Sequence, residues 1–246
     1  AAWYEKAGDR RAAAQQWALA GEPQKAAALL LKEGEYATAA RFFEELRQYV
    51  DAASAYEKAG DTARAASAYA RAGKTDRAAQ LFEQCFESST PNMPAAEACY
   101  EWLQSESAQK ALSADRRNGL LAALAPCFES AGRDETAAQL YRAGGQSAKA
   151  GDLFAKAGLY QEAARCMQDA GRIPEARRLL ARHYETIGRW EDAAKAYAAL
   201  GEHRAAADAF ARAGNKAAAA ASHEKAGEFS PAAAAYASGR DWPATA

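Results

Sequence analysis

Small and large apolar residues recur along this chain with a period of thirteen residues, broken between about residues 87 and 132 and again at 185–188. Fourteen full units fit the windows 9–86, 133–184 and 189–240, and Ala stands at the fifth position of every unit. The sixth position is Ala in twelve units, the ninth is large and mostly aromatic, and the last is Gly in ten. Positions five, nine and twelve are spaced i, i+4 and i+7, which places them on one face of an α-helix. The pattern therefore predicts one short helix per unit.

Independent signals at the unit boundaries indicate where each helix begins and ends. Pro23, Pro174 and Pro231 fall in predicted first turns, where no intrahelical hydrogen bond is lost. Acidic residues gather at the predicted starts and basic residues at the predicted ends, as the helix dipole favours. Glycine is a common residue just past a helix C-terminus. We expect helices of about nine or ten residues, separated by turns of three or four residues that end at Gly.

Helices this short must pack on their neighbours, since isolated helices need roughly 12–15 residues even when they are Ala-rich. Ala at positions five and six lets two helix axes approach to the short end of the ~8–10 Å range, and the large ninth residue fills the space between layers. Basic residues at helix ends recur at 26 residues, so the repeating unit is a pair of helices. We predict an all-α fold, a right-handed α-solenoid of short antiparallel helical hairpins with 13 residues per helix.

The break in the pattern divides the chain into an N-terminal solenoid half (1–86), an irregular segment (87–132) and a C-terminal solenoid half (133–246). The irregular segment begins with a turn-rich loop at 88–94 and continues with a predicted helix from Ala95 to Leu103. A second predicted helix starts near Arg116, and Pro126 should end or kink it. Two interpretations stay open: an irregular repeat with a longer helix, or a hinge or partner-docking element between the two halves.

Three stretches resemble the second helix of a tetratricopeptide repeat: EGEYATAARFF (33–43), AGLYQEAAR (157–165) and IGRWEDAAKAY (187–197). In each, a Gly precedes an aromatic residue, and Ala and then a large residue follow on one face. The period differs, because a hairpin here has 26 residues against about 34 in the ordinary repeat. The compact hairpins are similar to those of soluble NSF attachment proteins and of intraflagellar-transport and coatomer subunits. The resemblance implies a tetratricopeptide-repeat-like scaffold that binds other proteins, and it transfers no functional residue.

Composition and charge exclude several classes of function. Lys and Arg number 31 against 32 Asp and Glu, a balance that argues against a nucleic-acid partner. The four cysteines form no C-x-x-C pair and fit no metal-ligand spacing, which is typical of a reducing, cytoplasmic setting. No apolar run approaches the ~18 residues of a membrane span. No nucleotide-binding, zinc-protease or serine-hydrolase motif occurs, so we expect no catalytic residue, no cofactor and no metal. His223 occupies the ninth position of its unit, where the other units have large packing residues, so we expect a packing role for it.

The candidate binding residues are basic residues at predicted helix ends, which should form a column along one edge in each half. Two interpretations stay open: these residues compensate the helix dipole, or they attract an acidic protein segment or phosphate groups. We expect a non-catalytic scaffold or recognition arm for a protein or peptide partner, as part of a larger multidomain protein. The alternative is a structural trafficking or coat-like subunit. The residues of the column are Lys6, Lys32, Lys58, Lys156, Arg182 and Arg212.

Overall fold

The fold comes from a computed structural model, and the structure describes residues 1–87 and 92–239. Within these ranges the chain forms eighteen α-helices and no β-strand, as the thirteen-residue pattern predicts. In chain order the helices are α1 Ala2–Lys6, α2 Arg10–Leu19, α3 Pro23–Lys32, α4 Tyr36–Glu45, α5 Tyr49–Lys58, α6 Thr62–Arg71, α7 Thr75–Glu87, α8 Met93–Leu103, α9 Glu106–Ala111, α10 Ala114–Ser130, α11 Asp134–Ala143, α12 Ser147–Lys156, α13 Tyr160–Asp169, α14 Ile173–Thr186, α15 Trp190–Ala199, α16 His203–Arg212, α17 Lys216–Lys225 and α18 Phe229–Gly239. Most of the predicted loop 88–94 lies outside the described residues.

Each regular helix ends in the same hydrogen-bonded turn, which α2 illustrates. Gly21 adopts the left-handed conformation with φ +76°. The Glu22 N–H donates to the Trp17 carbonyl at 2.9 Å, and the Gly21 N–H donates to the Ala18 carbonyl at 3.1 Å. These two bonds satisfy carbonyls that the last helical turn leaves free, and the left-handed residue reverses the chain. The chain can therefore start the next antiparallel helix after only three residues outside helix, 20–22.

The turn between α4 and α5 adopts the same left-handed conformation without glycine. Arg47 adopts φ +58° between α4 and α5, and the Gln48 N–H still donates to the Phe43 carbonyl at 2.8 Å. A side chain in the left-handed region costs about 1–2 kcal/mol, because Cβ crowds the carbonyl oxygen. The hydrogen bonds of the turn hold this residue in the strained conformation.

Alanine pairs form the contacts between helices. At the fifth and sixth positions of α4, α5 and α6 the alanines are completely buried, and the large ninth residue is buried beside them in α5 and α7, at Tyr56 and Phe82. At Gly151, where most units have Ala, an added Cβ would lie 2.9 Å from Met167 Cε and 3.2 Å from the Ala163 carbonyl oxygen. The core is therefore a thin layer in which the backbones of neighbouring helices lie close together.

Two tyrosines connect consecutive helices in the N-terminal part of the chain. The Tyr56 hydroxyl donates to the Glu44 carboxylate at 2.8 Å, and the Tyr69 hydroxyl donates to Glu57 at 2.8 Å. Burial and then the bond to Glu44 raise the pKa of Tyr56 to about 12. Both contacts span twelve residues, one residue short of the repeat, so they are the same contact in successive units.

The helices form two compact units, Ala1–Arg133 and Asp134–Ala246. In the second unit each helix from α11 to α18 packs against the next one along the chain, and in the first unit α1 to α7 do the same. Ion pairs also join alternate helices: Arg71 on α6 meets Glu44 on α4 at 3.4 Å, and Arg204 on α16 meets Glu228 at the start of α18 at 3.2 Å. Packing of each helix on the next one, with ion pairs to the next but one, is the arrangement of an all-α solenoid. The right-handed sense of the solenoid remains a prediction.

The irregular segment 87–132 lies inside the first unit and does not follow the helix-to-next-helix order. Helix α8 packs on α6 and on α10, and α10 also packs on α7. Helix α10 runs seventeen residues and passes through Pro126, so the helix does not end there. Leu124 and Phe128, one turn apart across the proline, are both buried. Their packing on both sides of Pro126 offsets the lost backbone hydrogen bond, which costs about 3 kcal/mol.

The four extra residues 185–188 lengthen one helix. Helix α14 has fourteen residues where its regular neighbours have ten, which is one additional helical turn. Adding a whole turn keeps the residues on either side of it on the same face of the helix. Tyr184 accordingly contacts the core formed by α14, α15 and α16.

Candidate protein-binding edge

The antiparallel arrangement places the last turn of one helix beside the first turn of the helix before it. In the second unit this brings Lys156, at the end of α12, to 2.7 Å from Asp134, at the start of α11. The charge of this predicted binding residue is thus compensated inside the fold. The next two residues of the column, Arg182 and Arg212, have aromatic rings as neighbours instead of a carboxylate.

Arg182 and Arg212 each lie over an aromatic ring. The Arg182 guanidinium carbon is 6.0 Å from the centre of the Tyr160 ring, and that of Arg212 is 4.8 Å from the Trp190 ring. Tyr160 and Trp190 are the first residues of α13 and α15, and each arginine comes from the helix that follows. Both arginines are exposed and both rings are half-buried. We name Tyr160, Arg182, Trp190 and Arg212 the arginine–aromatic edge.

The two arginine–ring pairs are equivalent positions of neighbouring repeats. α14 starts at Ile173 and α16 at His203, so Arg182 and Arg212 are each the tenth residue of their helix. Arg212 ends α16 as predicted, but the prediction of a helix end at Arg182 was wrong, because the added turn extends α14 to Thr186. A side-chain bond also joins these two helices, because Arg178 Nε on α14 donates to the Glu202 carboxylate, at the N-terminus of α16, at 2.6 Å.

Four other arginines of the second unit have acidic partners, whereas Arg142, like Arg182 and Arg212, lies over a ring and forms no ion pair among the described residues. Arg189 Nη2 lies 2.6 Å from Asp192, and Arg172 Nη2 lies 3.1 Å from Glu175. Among the described residues, no carboxylate forms an ion pair with Arg182 or Arg212. The edge thus presents two guanidinium groups that are held against rings and keep N–H donors available for a ligand.

In the first unit the predicted column lies at the last turns of α1, α3 and α5. Lys6, Lys32 and Lys58 are all exposed there. Lys58 ends α5 beside the first turn of α4, where Tyr36 stands at the position that Tyr160 and Trp190 take in the second unit. The six predicted residues divide between the two compact units, three in each. That they bind a partner remains a prediction.

The irregular segment contributes one wall of an open pocket of about 420 Å³ in the first unit. Ser67 and Arg71 of α6 face Glu101 and Trp102 of α8 across it. The Trp102 indole Nε1 is buried and has no acceptor among the described residues, and the Trp102 ring stacks on Phe82 at 5.5 Å. The pocket is consistent with the docking-element interpretation of this segment as well as with a simple irregularity in the repeat.

The side chains that could take part in chemistry, the cysteines and His223, lie in the core or at a helix end. The four cysteines, all among the described residues, form no disulfide and are buried, and burial raises the pKa of Cys85, Cys99 and Cys166. His223 has its Nδ1 atom 2.8 Å from the Glu228 carboxylate, across the turn between α17 and α18. Over residues 1–87 and 92–239 there is no cluster of three or more His, Cys, Asp or Glu that could hold a metal ion. Over the same residues, no helix has both the length and the apolar character that a membrane span requires.

Comparisons with known proteins give no family. No family model matches the chain, and no curated protein matches it. A solved structure that is similar to it is the crystal structure of BtubC (BKLC) from P. vanneervenii, at 17% identity, over 93% of this chain and 85% of that chain, with a TM-score of 0.17. At this TM-score the two backbones do not superpose as whole chains, so the similarity supports no statement about function.

The thirteen-residue pattern predicts the arginines of the edge but not the rings that they contact. Tyr160 and Trp190 follow their turn glycines, Gly158 and Gly188, by two residues, and this regular placement was visible in the repeat. What identifies them as partners is the antiparallel hairpin, since a helix end faces the start of the preceding helix. Applying that rule to the thirteen-residue grid would have paired Arg212 with Trp190.

Proposed function

We propose that this chain is a non-catalytic scaffold that binds a protein partner along the edge of its helical repeats. The arginine–aromatic edge is the observation that carries the proposal. Arg, Tyr and Trp are the residue types most enriched at the energetic centres of protein interfaces. Here they recur in two successive repeats, on helices, with both arginines exposed. A regular array of short helices offers a partner several such positions in one line.

We also propose that the repeat is tetratricopeptide-like. The Gly–x–aromatic start and the Ala pair of α13 and α15, together with ten-residue helices that end in glycine turns, support this assignment. The hairpin is shorter than in the ordinary repeat. Its interhelical surface is filled by Ala pairs, and this leaves the edges of the array as the places where long side chains meet solvent.

Affinity capture followed by measurement with a purified partner tests the proposed function. The double variant Arg182→Ala/Arg212→Ala removes both guanidinium groups, and Arg204→Ala is the matched control. Arg204 is an exposed arginine on the same helix as Arg212, paired with Glu228 at 3.2 Å. A protein that the wild-type chain captures from a cell lysate is purified, and its Kd for each variant is measured by calorimetry.

The double variant should bind the partner at least about tenfold more weakly, since interface arginines and their packing often contribute more than 1 kcal/mol each. The control should bind like the wild type. Equal Kd values for the wild type and the double variant would contradict the proposed edge. Concentration-dependent growth of large assemblies of the chain alone, seen by light scattering, would favour the coat-like alternative.

A further inference from the structure

The pocket between α6 and α8 contains a buried hydrogen-bond donor that has no partner. Among the described residues, three buried side-chain polar atoms lack a hydrogen-bond partner: Trp102 Nε1, Asp134 Oδ1 and His203 Nδ1. Asp134 uses its other oxygen for Lys156, and His203 is only half-buried. Trp102 is 8% exposed and lines the pocket, and an indole N–H can only donate. An unpaired buried donor destabilises a fold, and an acceptor brought by a ligand would remove this penalty.

The irregular packing of α8 creates the pocket. Because α8 packs more closely on α6 than on α7, the last turns of α6 and α8 stand on two sides of it. Ala70 of α6 and Ala98 of α8 contribute small side chains, and the Trp102 ring, which stacks on Phe82, adds an aromatic surface. The volume of about 420 Å³ is in the range of sites that bind small molecules.

The pocket is lined by one basic and one acidic side chain, Arg71 of α6 and Glu101 of α8. The two form no ion pair with each other, and Glu101 forms none with any other described residue. Arg71 Nη1 lies 3.4 Å from Glu44, a contact that leaves other N–H donors of the guanidinium group unused. A ligand that carries both a negative and a positive group can therefore pair with both walls of the pocket.

Three serines add hydroxyl groups to the lining. The Ser67 hydroxyl donates to the Ala63 carbonyl at 3.0 Å, so its oxygen keeps acceptor capacity. The Ser105 and Ser107 hydroxyls lie 2.9 Å apart, and the Ser105 oxygen also accepts from the Ala108 N–H at 3.3 Å. Short polar groups around an apolar surface are typical of sites that bind small polar molecules.

We propose that this pocket binds a small zwitterion with one carboxylate and one ammonium group, a free amino acid. The carboxylate accepts from Arg71 and from the Trp102 N–H, and the ammonium group pairs with Glu101. Because Nε1 is buried in the free protein, the indole turns toward the carboxylate on binding. The inference gives the irregular segment a ligand-binding role beyond the scaffold function, and it does not depend on the arginine–aromatic edge, which lies in the other compact unit.

The test titrates the full chain with each of the twenty L-amino acids, one at a time, by isothermal titration calorimetry. For an amino acid that binds, its N-acetyl derivative removes the positive charge and its primary amide removes the negative charge. The pocket variants are Glu101→Gln and Trp102→Phe, which keeps a ring beside Phe82. The matched control is Glu97→Gln, because Glu97 is an exposed acid of the same helix that pairs with Arg133 and does not line the pocket.

At least one amino acid should bind the wild type with a Kd below about 1 mM. Its N-acetyl and amide derivatives should bind at least about tenfold more weakly, because each loses one charge-assisted contact. Both pocket variants should lose at least about tenfold in affinity for the amino acid, and Glu97→Gln should lose little. Absence of binding by all twenty amino acids, or equal binding to the wild type and to either pocket variant, would overturn the inference.

The indole NMR signal of Trp102 provides a measurement on the wild type, so it does not depend on how well the variants fold. The Trp102→Phe spectrum identifies this signal among those of the five tryptophans of the chain. The Nε1–H signal should move downfield when the amino acid is added, since the N–H gains a charged acceptor. The signals of Trp17 and Trp190, which do not line the pocket, should stay in place. An unchanged Trp102 signal in the presence of saturating amino acid would refute the proposed binding mode.

Discussion

Replacing Arg47 by glycine should stabilise the protein, although it removes a side chain. Arg47 adopts φ +58° at the position where the other regular turns have a left-handed glycine. Relief of the left-handed strain contributes about 1–2 kcal/mol. Glycine loses more backbone freedom on folding, which opposes this by about 0.5–1 kcal/mol. Since Arg47 is exposed, few contacts are lost, and the expected gain is about 0.5–1 kcal/mol.

The effect should be concentrated at the turn between α4 and α5, because each repeat contacts mainly its neighbours. The Gln48 amide, which donates to Phe43 at 2.8 Å, reports directly on this turn. Native-state hydrogen exchange at this amide should slow by about two- to fivefold, the factor that corresponds to 0.5–1 kcal/mol. Urea unfolding followed by circular dichroism gives the change for the whole chain.

The reciprocal variant is Gly60→Ala in the next turn. Gly60 has φ +76°, and an added Cβ would meet no atom within 4 Å, so only the backbone conformation is tested. This variant should lose about 1 kcal/mol and speed exchange of the Asp61 amide, which donates to Tyr56. If Arg47→Gly lowered stability, or if exchange at Gln48 were unchanged, the argument from left-handed strain would be wrong.

Three further predictions concern packing, protonation and thiol reactivity. Ala207→Leu should destabilise α16 by about 1–3 kcal/mol because Ala207 is completely buried between helices, whereas Ala211→Leu on the exposed side of the same helix should change the urea midpoint little. Tyr56→Phe should cost about 1–1.5 kcal/mol through loss of the bond to Glu44. Because the folded-state pKa of Tyr56 is raised to about 12, its contribution is complete below the unfolded value near 10 and is lost as pH rises toward 12, so the stability difference between the wild type and Tyr56→Phe should shrink over that window. Cys99, whose thiol pKa is raised by burial, should resist alkylation in the native chain and react in urea, and fast native labelling detected by mass spectrometry would contradict its buried position.

The helices themselves could be predicted from local pattern. The length of the regular helices, the glycine turn at most of their ends and the burial of Ala pairs all follow from the thirteen-residue unit, because i, i+4 and i+7 positions share a face whatever lies nearby. The added turn in α14 likewise follows from an insertion of four residues, close to the 3.6 residues of a helical turn.

The irregular segment was less predictable. Where the pattern stops, the sequence indicates helices but not the order in which they pack, and α8 contacts α6 and α10 more closely than its neighbour in sequence, α7. Helix α10 continues through Pro126 because Leu124 and Phe128 are buried on either side of it. The local preference of proline, which disfavours a helix interior, does not predict this continuation. Contacts between distant residues outweigh local propensity at both places.

The amino-acid sequence by itself determined that this chain folds as a row of short helices and that basic residues recur near the ends of alternate helices. Only the tertiary structure decided what each of those bases meets: Asp134 for Lys156, the Tyr160 ring for Arg182 and the Trp190 ring for Arg212. The reason is that helix formation depends on residues within one or two turns. The surroundings of a side chain at a helix end are instead set by the antiparallel neighbour, whose facing residue lies about 22 positions away in the chain.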